Sequence, residues 1–344
     1  MRGGVGDYTA QVVAHWPRAQ DFDFVLPQPA AGFGDHVRAI TRRRCDLVAQ
    51  LPKKGGAVLV QYSAYGFDRL GYPRWLIDGL LDWKQPTRGR LCVMFHEIWG
   101  FRPWWNKNSV VQSLHRRALR RLISAADAVF TTTASQAEYL AALAPSRSVT
   151  VLPVGANIFP APSAVFSPRA GTAVVFGMQG TRIRALREMA DGLRALSRTG
   201  RLTEVFSMGG GSSREGNAIE ESLLESLQLR DGFEQLGSLA PAQISERLLV
   251  AEFGIAGQDP LSYTKSGTFM AYAAHGLNIL SNHANAAAAE PGCLLTSPAQ
   301  IDDRELPSRS AKLRGWYERT ASWPHIAGAF AEALAPSGSA ERSS

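Results

Sequence analysis

Thr264-Lys265-Ser266-Gly267 opens an apolar helical run, Thr268–His275, that stops at Gly276. A helix start offers unpaired backbone N–H groups and the positive end of a dipole, so it receives anions. Thr264 and Ser266 add hydroxyls, Lys265 adds a mobile charge suited to phosphate, and Gly267 lets a ligand approach the backbone. The same residues also suit an ordinary capped helix between two strands. A second pair, His96-Glu97, ends an apolar run, where open α/β sheets place ligand groups. Glu97 there can orient a hydroxyl or accept its proton, or be a plain surface carboxylate. His96 can equally be a buried structural histidine. Lys265-Ser266 lacks the preceding glycine of a phosphate-binding P-loop, which argues against an NTPase.

The elements that must hold these residues alternate between strand and helix. In the first half the expected order is strand 21–26, an Arg-rich helix 35–51, strand 57–62, helix 74–83, strand 91–95, helix 109–124, strand 128–132, helix 135–143 capped by Ser135, and a closing strand at 149–153. A proline-containing linker follows at 155–172. The alternation then resumes: strand 173–177, helix 183–196, strand 204–208, helix 218–227, a strand ending near 237, helix 241–250, strand 253–256, the helix 268–275 and strand 277–280. Short apolar strands between helices imply parallel sheets buried on both faces. A last helical segment, 311–335, carries Trp323-Pro324, where a kink is expected. The chain opens with GGVGDYTAQVVAHW, read as a glycine turn and an amphipathic helix with no strand before it.

The chain has 344 residues, 45% hydrophobic and 19% charged, as in a soluble protein of two ordinary domains. No apolar run approaches a membrane span, and the N-terminus lacks a signal-peptide core. Cys45, Cys92 and Cys293 show no metal-ligand spacing and are expected reduced and buried. Residues 1–165 hold 20 Lys+Arg against 11 Asp+Glu, whereas the remainder holds 17 against 19. A basic first half suits an acidic partner surface, and nucleic acid, anionic lipid and phosphorylated substrates all fit that description. Helix 109–124 puts Arg116, Arg117, Arg120 and Arg121 on one arc opposite Val111, Leu114, Ala118 and Leu122. Such a face rests on anionic lipid at about 1 kcal/mol per charge, or is simply solvated. Asp21-Phe22-Asp23 has a metal-binding D-x-D form, but it alternates along a strand and is rejected as a metal site.

The order of these pieces resembles the group-one, retaining glycosyltransferases of the GT-B fold. GGVGDYT is similar to that family's glycine loop, MFHE at 94–97 to its histidine at a strand end, and TTTASQAEYL with VLPVGAN to the close of its first domain. AVVFGMQGTRIRALREM resembles the opening of the donor domain. LGSLAPAQISERLLVAEFGIAG and KSGTFMAYAAHGLNILSN resemble its donor-site segment. The resemblance implies two Rossmann-like parallel-sheet domains facing each other across a cleft, with the first N-terminal strand missing here. The expected division is 1–158 for the acceptor-side domain, 159–310 for the nucleotide-sugar domain, 311–335 for a kinked helical segment able to return to the first domain, and 336–344 for a disordered tail.

It further implies transfer of a sugar from a nucleotide-diphosphate sugar to a saccharide or lipid-linked acceptor, retaining and without an obligatory metal, as in polysaccharide biosynthesis. Leaving-diphosphate charge must be stabilised with donor and acceptor in line. Arg182, Arg184, Lys265, Thr264, Ser266, Gly267 and Gly210 are the expected donor-binding residues, and His96 and Glu97 the catalytic pair. Gly3, Gly4 and Gly6 line the cleft as a loop, and Tyr65, Tyr72 and Trp99 flank the acceptor. No cofactor beyond the donor, no metal and no nucleic acid is expected. The protein is placed in the cytoplasm, resting on the inner face of a membrane. Many members carry two glutamates eight positions apart, where this chain has Tyr263 and Ala271; Asp259 is a substitute for one. A catalytically inactive sugar-nucleotide or glycan-binding relative, and a sugar-nucleotide epimerase of the same fold, are the alternatives.

Overall fold

The computed structural model describes residues 4–27, 37–98 and 109–336. The chain divides into two compact units, residues 1–153 with 323–344, and residues 154–322. These boundaries differ from 158 and 311. The extended segment from Val154 belongs to the second unit because Val154 N–H donates to Thr264 O at 2.9 Å.

In the first unit α1 (Gly4–Ala14) precedes β1 (Phe24–Leu26), β2 (Val37–Ala39), α2 (Arg44–Gln50), β3 (Ala57–Ser63), α3 (Ala64–Phe67) and α4 (Arg74–Thr87). Then come β4 (Arg90–Glu97), α5 (Ser109–Ala125), β5 (Ala128–Thr131), α6 (Ala134–Leu143) and β6 (Thr150–Val151). Four strands form a parallel sheet in the order β3-β4-β5-β6, and β1 and β2 pair in parallel by themselves. β4 is buried from Leu91 to His96, as a central parallel strand covered on both faces must be.

The sequence led to different expectations at several points. The stretch 37–39 is a strand, and its helix starts only at Arg44, because Val37–Ala39 pairs with Phe24–Leu26. Gly4 and Gly6 are not a loop: they form the first turn of α1, which buries Tyr8 and Val12. Gly3 lies outside the described residues. The cap of α6 is Thr133, whose hydroxyl accepts from Gln136 N–H at 3.3 Å, and not Ser135. Cys92 is buried as expected, but Cys45 is exposed.

The second unit runs β7 (Arg169–Phe176), α7 (Gln179–Glu188), α8 (Ala190–Arg198), β8 (Glu204–Met208), α9 (Arg214–Glu225), β9 (Gly232–Gly237), α10 (Pro241–Val250), β10 (Ala251–Ile255), a short 3-10 helix (Pro260–Lys265), α11 (Gly267–His275), β11 (Asn278–Leu280) and α12 (Leu306–Thr320). Its sheet is parallel in the order β11-β10-β7-β8-β9. The core wraps α11, whose residues from Phe269 to His275 are all buried.

The final helix, α13 (Trp323–Leu334), packs into the first unit. Trp323 meets Tyr8 at 5.2 Å between ring centroids, Phe330 meets Phe130 at 5.2 Å, and Arg90 donates to Ala333 O at 3.0 Å. The expected kink is a full break between α12 and α13, with Pro324 in the first turn of α13, where its missing N–H costs nothing.

Candidate functional site

The strand order of the second unit reverses at β7: the chain moves outward through β8 and β9, then returns to add β10 and β11 on the other side. Open α/β sheets bind ligands beyond the carboxyl ends of the strands at such a reversal. Two glycine-containing turns converge there. Gly177, at φ 132°, follows β7, and a Cβ on it would come within 3.0 Å of Thr268 Oγ1 in the first turn of α11. Gly209, at φ 136°, follows β8, and its Cβ would sit 2.0 Å from Gly177 O. Only glycine serves at these two positions. Gly210 lies beside them, its carbonyl accepting from Gln179 N–H at 3.0 Å.

The start of α11 is open. Ser266 caps it, with Oγ accepting from Phe269 N–H at 3.2 Å, so the hydroxyl proton is left to donate. The N–H groups of Gly267 and Thr268 have no acceptor among the described residues. Lys265 is exposed and likewise has neither an ion-pair nor a hydrogen-bond partner there. Thr264 holds the turn through its carbonyl bond to Val154. The helix ends at Gly276 in the left-handed conformation, as expected from the sequence. Four residues were not singled out from the sequence. Gly177 and Thr268 form the contact just described, and Asn157 places Nδ2 3.1 Å from where a Gly267 Cβ would stand. The fourth, Gln258, is buried just past β10 with Oε1 unpartnered. Asp259 Oδ1 caps the 3-10 helix by accepting from Leu261 N–H at 2.8 Å, leaving Oδ2 unpartnered among the described residues.

Arg182 is a correction. Its guanidinium donates to both oxygens of Glu220 at 2.8 and 2.9 Å and to Gly177 O at 2.7 Å, and the residue is 2% exposed. Ser207 Oγ donates to the same Glu220. With its charge paired bidentately to Glu220 and its Nη1 on the Gly177 and Gly210 carbonyls, this buried arginine braces the glycine turns rather than presenting itself to a phosphate. Arg184 is exposed and reaches Glu188 at 4.0 Å.

In the first unit, His96 sits at the carboxyl end of β4. Its Nε2 is 2.6 Å from Gln61 Oε1, and its ring meets the edge of Tyr8 at 4.6 Å. Glu97 is exposed and accepts from Ser63 Oγ at 3.1 Å, across the β3/β4 register. Tyr65 is exposed and Tyr72 half-buried against His115, while Trp99 lies outside the described residues. Of the α5 arginines, Arg120 donates to Leu143 O at 2.8 Å and Arg121 to Asp78 at 2.9 Å. Arg116 lies over Tyr139, and Arg117 alone of the four lacks a partner among the described residues. Leu114, on the side of the helix opposite these arginines, is exposed, whereas Ala118 and Leu122 are buried. Asp23 of the D-x-D stretch pairs with Arg38, and no group of three metal-ligating side chains occurs among the described residues. Nor is any described helix long and apolar enough to cross a membrane.

No protein-family model and no curated protein matches the chain. Solved structures match along nearly its whole length. WaaG, a glycosyltransferase involved in lipopolysaccharide biosynthesis, gives a TM-score of 0.55 at 13% identity, covering 97% of this chain and 96% of that one. HepE of Anabaena, in complex with UDP and glucose, gives 0.54 at 12% identity over 97% and 96%. A UDP-forming α,α-trehalose-phosphate synthase from Burkholderia xenovorans gives 0.52 at 12% over 85% and 76%. The fold is that of the GT-B glycosyltransferases. Identity this low carries the fold and not a substrate. Tyr263 and Ala271, where the sequence resemblance would put two glutamates, are both buried. Tyr263 OH is 3.1 Å from Ser281 Oγ and its ring stacks on Phe269 at 4.6 Å. Ala271 is fully enclosed in the core.

Proposed function

We propose that the chain is a glycosyltransferase that moves a sugar from a nucleotide-diphosphate sugar to a saccharide or lipid-linked acceptor, with retention and without an obligatory metal. The observation that carries this reading is the open start of α11 beside the carboxyl ends of β7 and β10. There the N–H groups of Gly267 and Thr268, the Ser266 hydroxyl and the Lys265 ammonium are all donors without acceptors, suited to a leaving diphosphate. Glu97 takes the role of orienting an acceptor hydroxyl, with Ser63 fixing its carboxylate. His96, held by Gln61, supports the reacting centre.

Titration calorimetry of the full chain with UDP, GDP and their glucose conjugates tests it. One nucleotide is expected to bind equally well with and without EDTA. Lys265→Ala should weaken it about tenfold, the equivalent of one charge-assisted hydrogen bond at ~1.4 kcal/mol, without lowering the melting temperature. A folded chain that binds neither nucleotide refutes the proposal. The burial of Tyr263 and Ala271 favours a second reading, a sugar-nucleotide-binding relative without transfer, which predicts the same binding but no turnover with any acceptor.

A further inference from the structure

Gly267, the first residue of α11, is not in the left-handed region, so its missing side chain serves space and not backbone conformation. The Asn157 carboxamide uses that space. Its Nδ2 lies 3.1 Å and its Cγ 3.5 Å from where a Cβ on Gly267 would stand, while the amide oxygen is farther off than 4 Å. The segment that carries Asn157 is pinned on both sides. Val154 N–H donates to Thr264 O at 2.9 Å, Ala156 N–H donates to Tyr317 OH at 3.4 Å, and Ala156 and Ile158 are buried. Between those two buried residues Asn157 is exposed, and its side chain has no hydrogen-bond partner among the described residues. The amide is also the wrong way round for a helix cap. A cap turns an oxygen towards the first N–H groups, and Ser266 already fills that role. Here a donor is turned towards the start of α11, where the N–H groups of Gly267 and Thr268 lack acceptors as well. A nest of donors at the positive end of a helix dipole is complete only with an anion in it.

We infer that Asn157 is a phosphate-binding residue, its Nδ2–H donating to an oxygen of the leaving diphosphate beside the α11 amides. The inference rests on the reading of α11 as the diphosphate site and adds to it a residue from the stretch where the chain enters the second unit. The carboxamide is neutral, so it fixes the position of a phosphate oxygen without adding charge. Its contribution therefore survives added salt, whereas that of the exposed Lys265 is screened. Aspartate, of nearly the same shape, cannot replace it, because an ionised carboxylate only accepts.

The test is calorimetry on the full chain with UDP, GDP and inorganic pyrophosphate, the last carrying the charge without base or sugar. Asn157→Ala should weaken binding about fivefold, the loss of one neutral hydrogen bond. Asn157→Asp should weaken it about thirtyfold, since a donor is lost and a like charge faces the phosphates. A purely structural role moves the other way: a carboxylate at the positive end of a helix dipole stabilises the helix. The melting temperature of Asn157→Asp is accordingly expected at or above that of the wild type, while its affinity falls. Pyrophosphate and the nucleotide should lose affinity by the same factor. Unchanged affinity in Asn157→Asp overturns the assignment of Asn157 and leaves the reading of α11 standing. So does a loss confined to the nucleotide, which would put the amide on the base or sugar. A wild-type chain that binds none of the three overturns both.

Discussion

Replacing Arg182 with methionine separates a brace from a phosphate ligand. The side-chain stem is kept, and four hydrogen bonds disappear: two to Glu220, one to Gly177 O and a longer one to Gly210 O. Glu220, 1% exposed, is left with the Ser207 hydroxyl as its one side-chain partner among the described residues. Removing one member of a buried ion pair costs about 3–5 kcal/mol, because the surviving charge is stranded away from water. At ~2–4 °C per kcal/mol for a unit of this size, the melting temperature of the second unit should fall by about 6–20 °C. Denaturant unfolding followed by circular dichroism measures the loss directly. Adding Glu220→Leu to Arg182→Met removes the stranded carboxylate, so the double variant should regain a large part of the stability. Affinity for the nucleotide, measured where the single variant is still folded, should change far less than it does in Lys265→Ala. If Arg182→Met instead unfolds at the wild-type denaturant concentration and loses nucleotide binding, the guanidinium is a ligand and the assignment of Arg182 is wrong.

Gly209→Ala should be more disruptive than its size suggests, since φ is positive and the new Cβ would meet Gly177 O at 2.0 Å; a loss above ~1 kcal/mol and weaker nucleotide binding are expected in the same melts and titrations. Two buried histidines set an acid limit. Burial lowers His115 and His275 from 6.5 to about 4, so both are neutral in the fold. Below pH 6.5 the unfolded chain binds the extra protons, and stability is lost progressively as pH falls from 6.5 to about 4, at ~1.4 kcal/mol per pH unit for each histidine. His275→Gln should reduce that slope by one proton's worth in unfolding curves taken across this range; an unchanged slope would show that His275 is not held neutral.

The strands were legible where both faces are buried. Leu91–Phe95 and Ala173–Phe176 are continuous apolar runs, and nothing but a covered parallel strand accommodates them at that length. The start of α11 was legible too, because a hydroxyl residue, a glycine and an apolar run announce a cap without reference to the rest of the chain. What failed was non-local. Val37–Ala39 reads as helix until Phe24–Leu26 pairs with it. Gly4 and Gly6 read as a turn because glycine is costly in a helix, yet packing of Tyr8 against Trp323 and Phe330 overrides that cost. Arg182 had the position of a phosphate ligand, and its partner Glu220 stands in a different helix, where no spacing rule points to it. Nothing in the sequence marks Gln258, because a polar residue in a loop is ordinarily solvated. Its burial is a property of the folded unit alone.

The buried positions 263 and 271 constrain how a sugar nucleotide could be recognised. Hydroxyl groups of a ribose or hexose need acceptors, which the resemblance would supply as two glutamates. Here one position is a tyrosine engaged with Ser281 and the other an alanine inside the core, where a carboxylate would be desolvated and unpaired. Restoring glutamate at 271 would therefore damage the fold rather than add a contact. In the proposed reading the acceptors come instead from the segment after β10: Gln258 Oε1, buried and unpartnered, and Asp259 Oδ2, free while Oδ1 caps the turn that carries Lys265. Donors for a diphosphate and acceptors for a sugar then lie within a dozen residues of one another, on the carboxyl side of β10. Specificity would follow from Gln258 and Asp259, whereas Lys265 and the α11 amides would bind any diphosphate.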